Sequence, residues 1–177
     1  MFIPIILGTA REGRQSEKVA NFVLEVVKKA GHESLMVDAR DYRLPATDNT
    51  GEPEPAKKLA EIVSKAEALI IVCPEYNHGY PGELKMLLDL LYEEYAGKKV
   101  GLCGVSMGPM GGARGLQALK LSLLAFSLIP VVQTVYFPNV TELFDASGGI
   151  KDPSYEKSIK GMLKVAGELC MNLGWIT

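Results

Sequence analysis

MFIPIILGTAREGRQSEKVANFVLEVVKKAG, residues 1–31, places an apolar run, a polar glycine-bearing turn and an amphipathic stretch in immediate succession. Phe2–Leu7 is short, continuous and rich in isoleucine, the pattern of a strand buried on both faces. Val19, Phe22, Val23, Val26 and Val27 then recur at helical spacing, and Gly31 sits where a C-terminal cap belongs. The nine residues from Gly8 to Ser16 join the two elements and pack glycines, hydroxyls and two arginines together. A strand that feeds a helix through such a turn is half of a parallel crossover unit.

Outward from this unit the same alternation repeats. Ser34–Val37 reads as a second strand, and 40–55 is a polar loop with three prolines and one glycine. Ala56–Lys65 is helical, Ala68–Cys73 is a wholly apolar run closed by Pro74, and Leu84, Leu87, Leu88 and Leu91 repeat at helical spacing behind it. Lys99–Val105 is a strand, Leu116–Leu128 a helix and Val131–Phe137 a strand. The last helix carries Ile159, Met162, Leu163, Ala166, Leu169, Cys170 and Leu173 on its apolar face. Five strands alternating with helices demand right-handed parallel crossovers with helices on both faces. The expected architecture is a doubly wound α/β domain with a five-stranded parallel sheet in the order 2-1-3-4-5. Residues 139–152 are loop-like but do not divide the chain, so one domain over 1–177 is expected.

Composition narrows the function. With 177 residues, 47% of them hydrophobic, the chain is long enough to bury one sizeable core. The formal charge of -2 offers no global basic field for nucleic acid, so any anion site must be local. Cys73, Cys103 and Cys170 are odd in number and far apart, which argues against a disulfide framework or structural zinc and fits a reducing cytoplasm. No signal peptide or membrane helix is expected. His32 and His78 are too distant and unsupported for a metal site.

In an open sheet of this order, ligands bind beyond the carboxyl ends of the strands, where the order reverses. The unusual residues concentrate there: GTAREGRQS after strand one, PEYNHGYPG after strand three, SMGPMGGARG after strand four. The first loop has the makings of a phosphate cradle. Thr9 and Ser16 can donate hydroxyl hydrogen bonds, Gly8 and Gly13 let the backbone turn its amides inward, and the helix that follows aims its positive end at the same spot. Arg11 and Arg14 favour a terminal phosphate monoester over a bridging diphosphate. The competing reading is an ordinary strand-to-helix turn with Ser16 as N-cap and solvated arginines. The chain has neither GxxxxGK[ST] nor GxGxxG after its first strand, which disfavours a triphosphate or a Rossmann-held dinucleotide. PEYNHGYPG suits a flat ring: prolines stiffen it, glycines allow close approach, and Tyr76, His78 and Tyr80 offer planar surfaces.

Thr9-x-Arg11-x-Gly13-Arg14-x-Ser16, together with Pro74-Glu75-Tyr76-Asn77-x-Gly79-Tyr80-Pro81-Gly82-x-Leu84-Lys85, resembles the NADPH-dependent FMN reductase family of flavodoxin-like proteins across essentially the whole chain. The resemblance implies FMN as cofactor, with its 5'-phosphate held by Thr9, Arg11, Arg14, Gln15 and Ser16. It implies the isoalloxazine ring beside Pro74, Glu75, Tyr76, Asn77 and His78, with Ser106, Met107 and Gly111 on the far edge. Cys73 departs from the pattern, standing where threonine is more usual. A resembling enzyme passes hydride from NAD(P)H to flavin N5, then two electrons to a quinone, azo, nitro, metal-oxyanion or flavin acceptor, with ping-pong kinetics and no catalytic side chain. Similar reductases pair so that each site is completed by its neighbour, and Leu116–Leu128, apolar nearly all round, with Tyr92 and Tyr95, fits a homodimer, which leaves a tetramer open.

Several residues keep plain alternatives. Met107 and Met110 fit either the substrate side of a flavin or ordinary packing, and Cys73 fits a buried small hydrophobe better than a redox thiol. Two functions of another class also remain: a flavodoxin-type electron carrier, disfavoured by the mild charge and the arginine-bearing loop, and a flavin-bound redox sensor.

Overall fold

The structure, a computed structural model, describes residues 1–172; Leu173, expected as the last apolar position of the final helix, lies outside them. Five parallel strands form one sheet: β1 (Ile5–Leu7), β2 (Met36–Asp38), β3 (Ala68–Pro74), β4 (Lys99–Val105) and β5 (Ile129–Phe137). Their order is β2-β1-β3-β4-β5, the flavodoxin-like winding expected above. Ile5 pairs with Met36 on one side and Ile70 on the other, while β3 and β4 pair continuously from Ala68–Lys99 to Pro74–Val105. The crossovers are α1 (Ser16–Lys29), α2 (Glu54–Lys65), α3 (Gly82–Leu88) and α4 (Ala113–Ala125), and the chain continues through a single turn, α5 (Val140–Leu143), into α6 (Ser154–Asn172).

Period-two alternation divides the strands between two cores. Ile5, Leu7, Ile70, Val72, Cys103 and Val105 face α1 and α6, meeting Val19, Val23, Val27, Ile159 and Met162. Ile6, Leu69, Ile71, Val100 and Leu102 face the opposite way, against Leu59, Val63, Leu84, Leu87, Leu119 and Leu123. Because β3 and β4 are buried along their whole length, their residues do not alternate between apolar and polar: β3 is wholly apolar, and β4 is so after Lys99.

The departures from expectation lie at element ends, where tertiary partners decide. β2 begins two residues later than its apolar pattern, and the loop after it contains a 3-10 turn over Ala39–Tyr42. α3 stops at Leu88, so Leu91 belongs to the connection that follows. α4 begins three residues earlier than its leucines do and ends at Ala125, where Ser127 turns left-handed at φ 56°. Leu116, Leu119 and Leu123 are buried, whereas Leu121 (74% exposed) and Leu124 (61%) stand on the outer face. The order of the sheet sends the chain away from β1 and β3 in opposite directions, so the loops after these two neighbouring strands share one crevice.

Candidate functional site

At that crevice lies a cavity of about 420 Å³, within the size range of small-molecule sites. Arg11, Glu12, Gly13, Arg14, Gln15 and Ser16 form its floor. Pro74, Glu75 and Tyr76 supply one wall, and Ser106, Met107 and Gly108 the other. Val140 and Thr141 close the end.

The first loop is held from below. Thr9 is fully buried, and its Oγ1 lies 3.0 Å from the Tyr76 hydroxyl and accepts from the Arg11 amide at 3.3 Å. The threonine therefore ties loop one to loop three and is not itself part of the cavity lining. Gly13 takes φ +65°, as a left-handed turn requires, but Gly8 is small for another reason: a Cβ there would meet Leu84 Cδ2 at 3.0 Å and the Val72 carbonyl at 3.2 Å. Ser16 opens α1 and does not cap it; Gln15 occupies the N-cap position, and no side chain caps the helix. The Ser16 Oγ is buried with no hydrogen-bond partner. A buried hydroxyl without a partner carries a desolvation cost, so at the positive end of a 14-residue helix it suits an anion that accepts from it.

Arg14 departs from the expected phosphate contact. Its guanidinium, 1% exposed, donates from both terminal nitrogens to the Asp38 carboxylate at the end of β2, from one of them also to the Thr9 carbonyl, and through Nε to Glu17 Oε2 at 3.3 Å. Planar fork geometry matches the carboxylate, so that four of the five N–H groups of Arg14 are engaged within the protein. Burial alone would raise the Asp38 carboxyl, but hydrogen bonds from Arg14 and from the Arg40 amide outweigh it and hold the group below its ordinary range. The stabilisation is present above the ordinary Asp value of about 3.9 and is lost as pH falls through the lower folded value. Arg11 is the exposed arginine of the loop, its guanidinium carbon 5.4 Å from the centre of the Tyr76 ring.

Loop three is a tight two-residue turn. Tyr76 and Gly79 exchange both backbone hydrogen bonds at 2.9 Å, with Asn77 (φ 49°) and His78 (φ 65°) left-handed between them. The turn swings both residues out of the main cavity: Asn77 lines a neighbouring depression with Arg11 and Glu83, and exposed His78 contacts Arg114 at 3.1 Å. Glu75 reaches the other way, where Oε2 accepts from the amides of Arg114 at 2.9 Å and Gly115 at 3.1 Å. This carboxylate is the missing N-terminal cap of α4. Glu75→Ala is expected to cost about 1–2 kcal/mol of stability, read as a lower denaturant midpoint at unchanged m-value.

In loop four, Ser106 donates from Oγ to the Gly108 carbonyl at 2.8 Å, and Met107 is 73% exposed over the cavity mouth. Gly111, which the resemblance implied at the ring edge, is not among the residues that line the cavity. It lies against β5, where a Cβ would meet Tyr136 Cβ at 2.8 Å and the Phe137 nitrogen at 3.1 Å, so its role is close packing. Cys73 is buried, donates to the Pro74 carbonyl, and burial pushes its thiol up, the behaviour of a small apolar residue. Among the described residues, no group of three or more His, Cys, Asp or Glu is placed to hold a metal. Val140 and Thr141, in the segment expected to be loop, and Asp38 and Arg40, behind the first loop, belong to the site without a sequence signal that marked them.

Fold and site together define a flavodoxin-like protein with a cavity at its switch point, where a buried hydroxyl stands without a partner. Residues 1–142 match the family described as NADPH-dependent FMN reductase, and the chain belongs to that family, an oxidoreductase family that works with FMN and NAD(P)H. It is 30% identical to an NAD(P)H-dependent FMN reductase of Schizosaccharomyces pombe, over 94% of this chain and 87% of the relative. It is 27% identical to a quinone reductase of Escherichia coli over 92% of each chain. In fold it is similar to the flavoenzyme NAD(P)H:(acceptor) oxidoreductase FerB from Paracoccus denitrificans, with a TM-score of 0.80, 20% identity and 97% of each chain covered.

Proposed function

We propose that the chain is a single-domain FMN-dependent NAD(P)H oxidoreductase that reduces a quinone, azo, nitro, flavin or similar small acceptor by a ping-pong mechanism. The observation that carries the reading is the Ser16 hydroxyl, buried without a partner on the floor of the crevice cavity at the head of α1. When bound, FMN would supply the two-electron chemistry that links NAD(P)H to the second substrate. The protein's part is to bind and orient. Ser16, Gln15, Arg11 and the amides of loop one hold the phosphate. Pro74, Glu75 and Tyr76 border the ring on one side, with Ser106 and Met107 on the other. Thr9 and Arg14 act through the loop they brace, and Asn77 and His78 stand at the rim, where a second substrate arrives.

Among the described residues no helix is long and apolar enough to cross a membrane, and the three cysteines are unpaired; both suit a cytoplasmic enzyme. Exposed Leu121, Leu124 and Tyr92 suit a homodimer, whereas Tyr95, expected beside them, is fully buried in its own core.

The test is to load the purified protein with FMN, remove the excess and follow the flavin spectrum anaerobically with NADH and with NADPH. Rapid bleaching of stoichiometric flavin, reversed by a quinone, is the expected result. Flavin that neither donor bleaches would make the chain a carrier or sensor, and failure to retain any flavin would overturn the cradle.

A further inference from the structure

Resting on the reading of loop one as a phosphate cradle, we propose that Asp38 and Arg40, at the end of β2, are positioning residues that set the conformation of that loop for a phosphate monoester. Three consecutive carbonyls of the loop are held by two guanidiniums. Thr9 O accepts from Arg14, Ala10 O from Arg40 Nε at 3.3 Å, and Arg11 O from Arg40 at 2.9 Å. A trans peptide points its N–H opposite to its C=O. Fixing these three carbonyls toward the guanidiniums therefore turns the following amides, those of Ala10, Arg11 and Glu12, away from them. The Arg11 amide meets the Thr9 hydroxyl, while Glu12 and the next four residues line the cavity.

Asp38 governs both clamps. Its Oδ1 accepts from Arg14 at 2.7 Å and from the Arg40 amide at 2.9 Å, and its Oδ2 accepts from the second terminal nitrogen of Arg14. One carboxylate thus fixes the arginine inside the loop and anchors the segment that carries the arginine outside it. Neither Asp38 nor Arg40 lines the cavity, so their influence passes through the backbone. Arg14 also ceases to be a cation for the ligand, because Asp38 balances its charge; Arg11 stands as the loop's exposed cation.

The experiment compares FMN with riboflavin, which has the same ring and no phosphate, by quenching of flavin fluorescence on the ligand-free full chain. Wild type, Asp38→Asn, Asp38→Glu and Arg40→Ala are titrated with each. Both Asp38→Asn and Arg40→Ala are expected to bind FMN about tenfold more weakly, the loss of one well-aimed bond to a charged group, with riboflavin binding unchanged. Asp38→Glu, which keeps the charge, is expected to recover part of the loss. Equal weakening for both flavins would mean a general loss of fold and would overturn the proposal, as would wild-type FMN affinity in both variants. Arg40 is exposed, so its variant reports even where Asp38→Asn disturbs folding. A wild-type chain that fails to prefer FMN over riboflavin would instead overturn the phosphate reading beneath the proposal, and the proposal with it.

Discussion

Gly112→Ala is expected to lose about 3–5 kcal/mol of stability, seen as a fall of about 6–20 °C in Tm for a chain of this size. Gly112 precedes α4 at φ +85°, a conformation that costs an L-residue about 1–2 kcal/mol. The larger part comes from space. An added Cβ would stand 2.5 Å from the Val105 nitrogen and 3.0 Å from both the Gly104 carbonyl carbon and the Val105 oxygen, all backbone of β4. A central strand paired on both sides cannot yield by that much. Gly108→Ala provides the control, since its φ is ordinary and nothing lies within 4 Å of its would-be Cβ. Its Tm is expected to stay within the equivalent of about 0.5 kcal/mol. Equal behaviour of the two variants would show that the fourth loop does not press against its own strand, and the far wall of the cavity would lose its physical basis.

The same loop shows what a sequence can and cannot disclose. Strand β4 is legible because a buried parallel strand needs a continuous run without polar alternation, and 100–105, behind Lys99, is one. The start of α4 is not legible, because its cap is the Glu75 carboxylate, contributed from the end of another strand. Leucine spacing marks where the helix is buried, and it says nothing of the exposed turn that precedes Leu116. Glycines after a strand suggest ligand contact and close packing alike; only the positions of Tyr136 and Val105 assign Gly111 and Gly112 to packing.

The cradle follows the same logic. The place of the cavity was legible in GTAREGRQS because the features that mark it are local: a left-handed glycine, a hydroxyl and a positive helix end. The division of labour within it was not. Arg11 and Arg14 look alike in sequence, and what separates them is Asp38, at the end of another strand. Ser16 as an N-cap and Ser16 as an anion donor also share one pattern; the difference is whether its hydroxyl finds a backbone amide, and it finds none.

That difference yields an effect of opposite sign on stability and on binding. In Ser16→Ala, the ligand-free protein loses a buried hydroxyl that has no partner and gains a residue of higher helix propensity, so its Tm is expected to hold or rise. FMN affinity is expected to fall by about 10- to 100-fold, corresponding to about 1.5–3 kcal/mol for a bond to a charged group. Scanning calorimetry with and without FMN separates the two, because the rise in Tm on ligand binding grows with the logarithm of affinity. Arg11→Ala removes an exposed charge at the same site, so FMN affinity is expected to fall comparably and to lose part of its dependence on salt, with riboflavin unaffected. A ligand-free Ser16→Ala protein destabilised by more than about 1 kcal/mol would mean that the hydroxyl serves the fold after all. The strand-to-helix turn would then be an ordinary one, and the exposed charge of Arg11 would have to bind the anion without it.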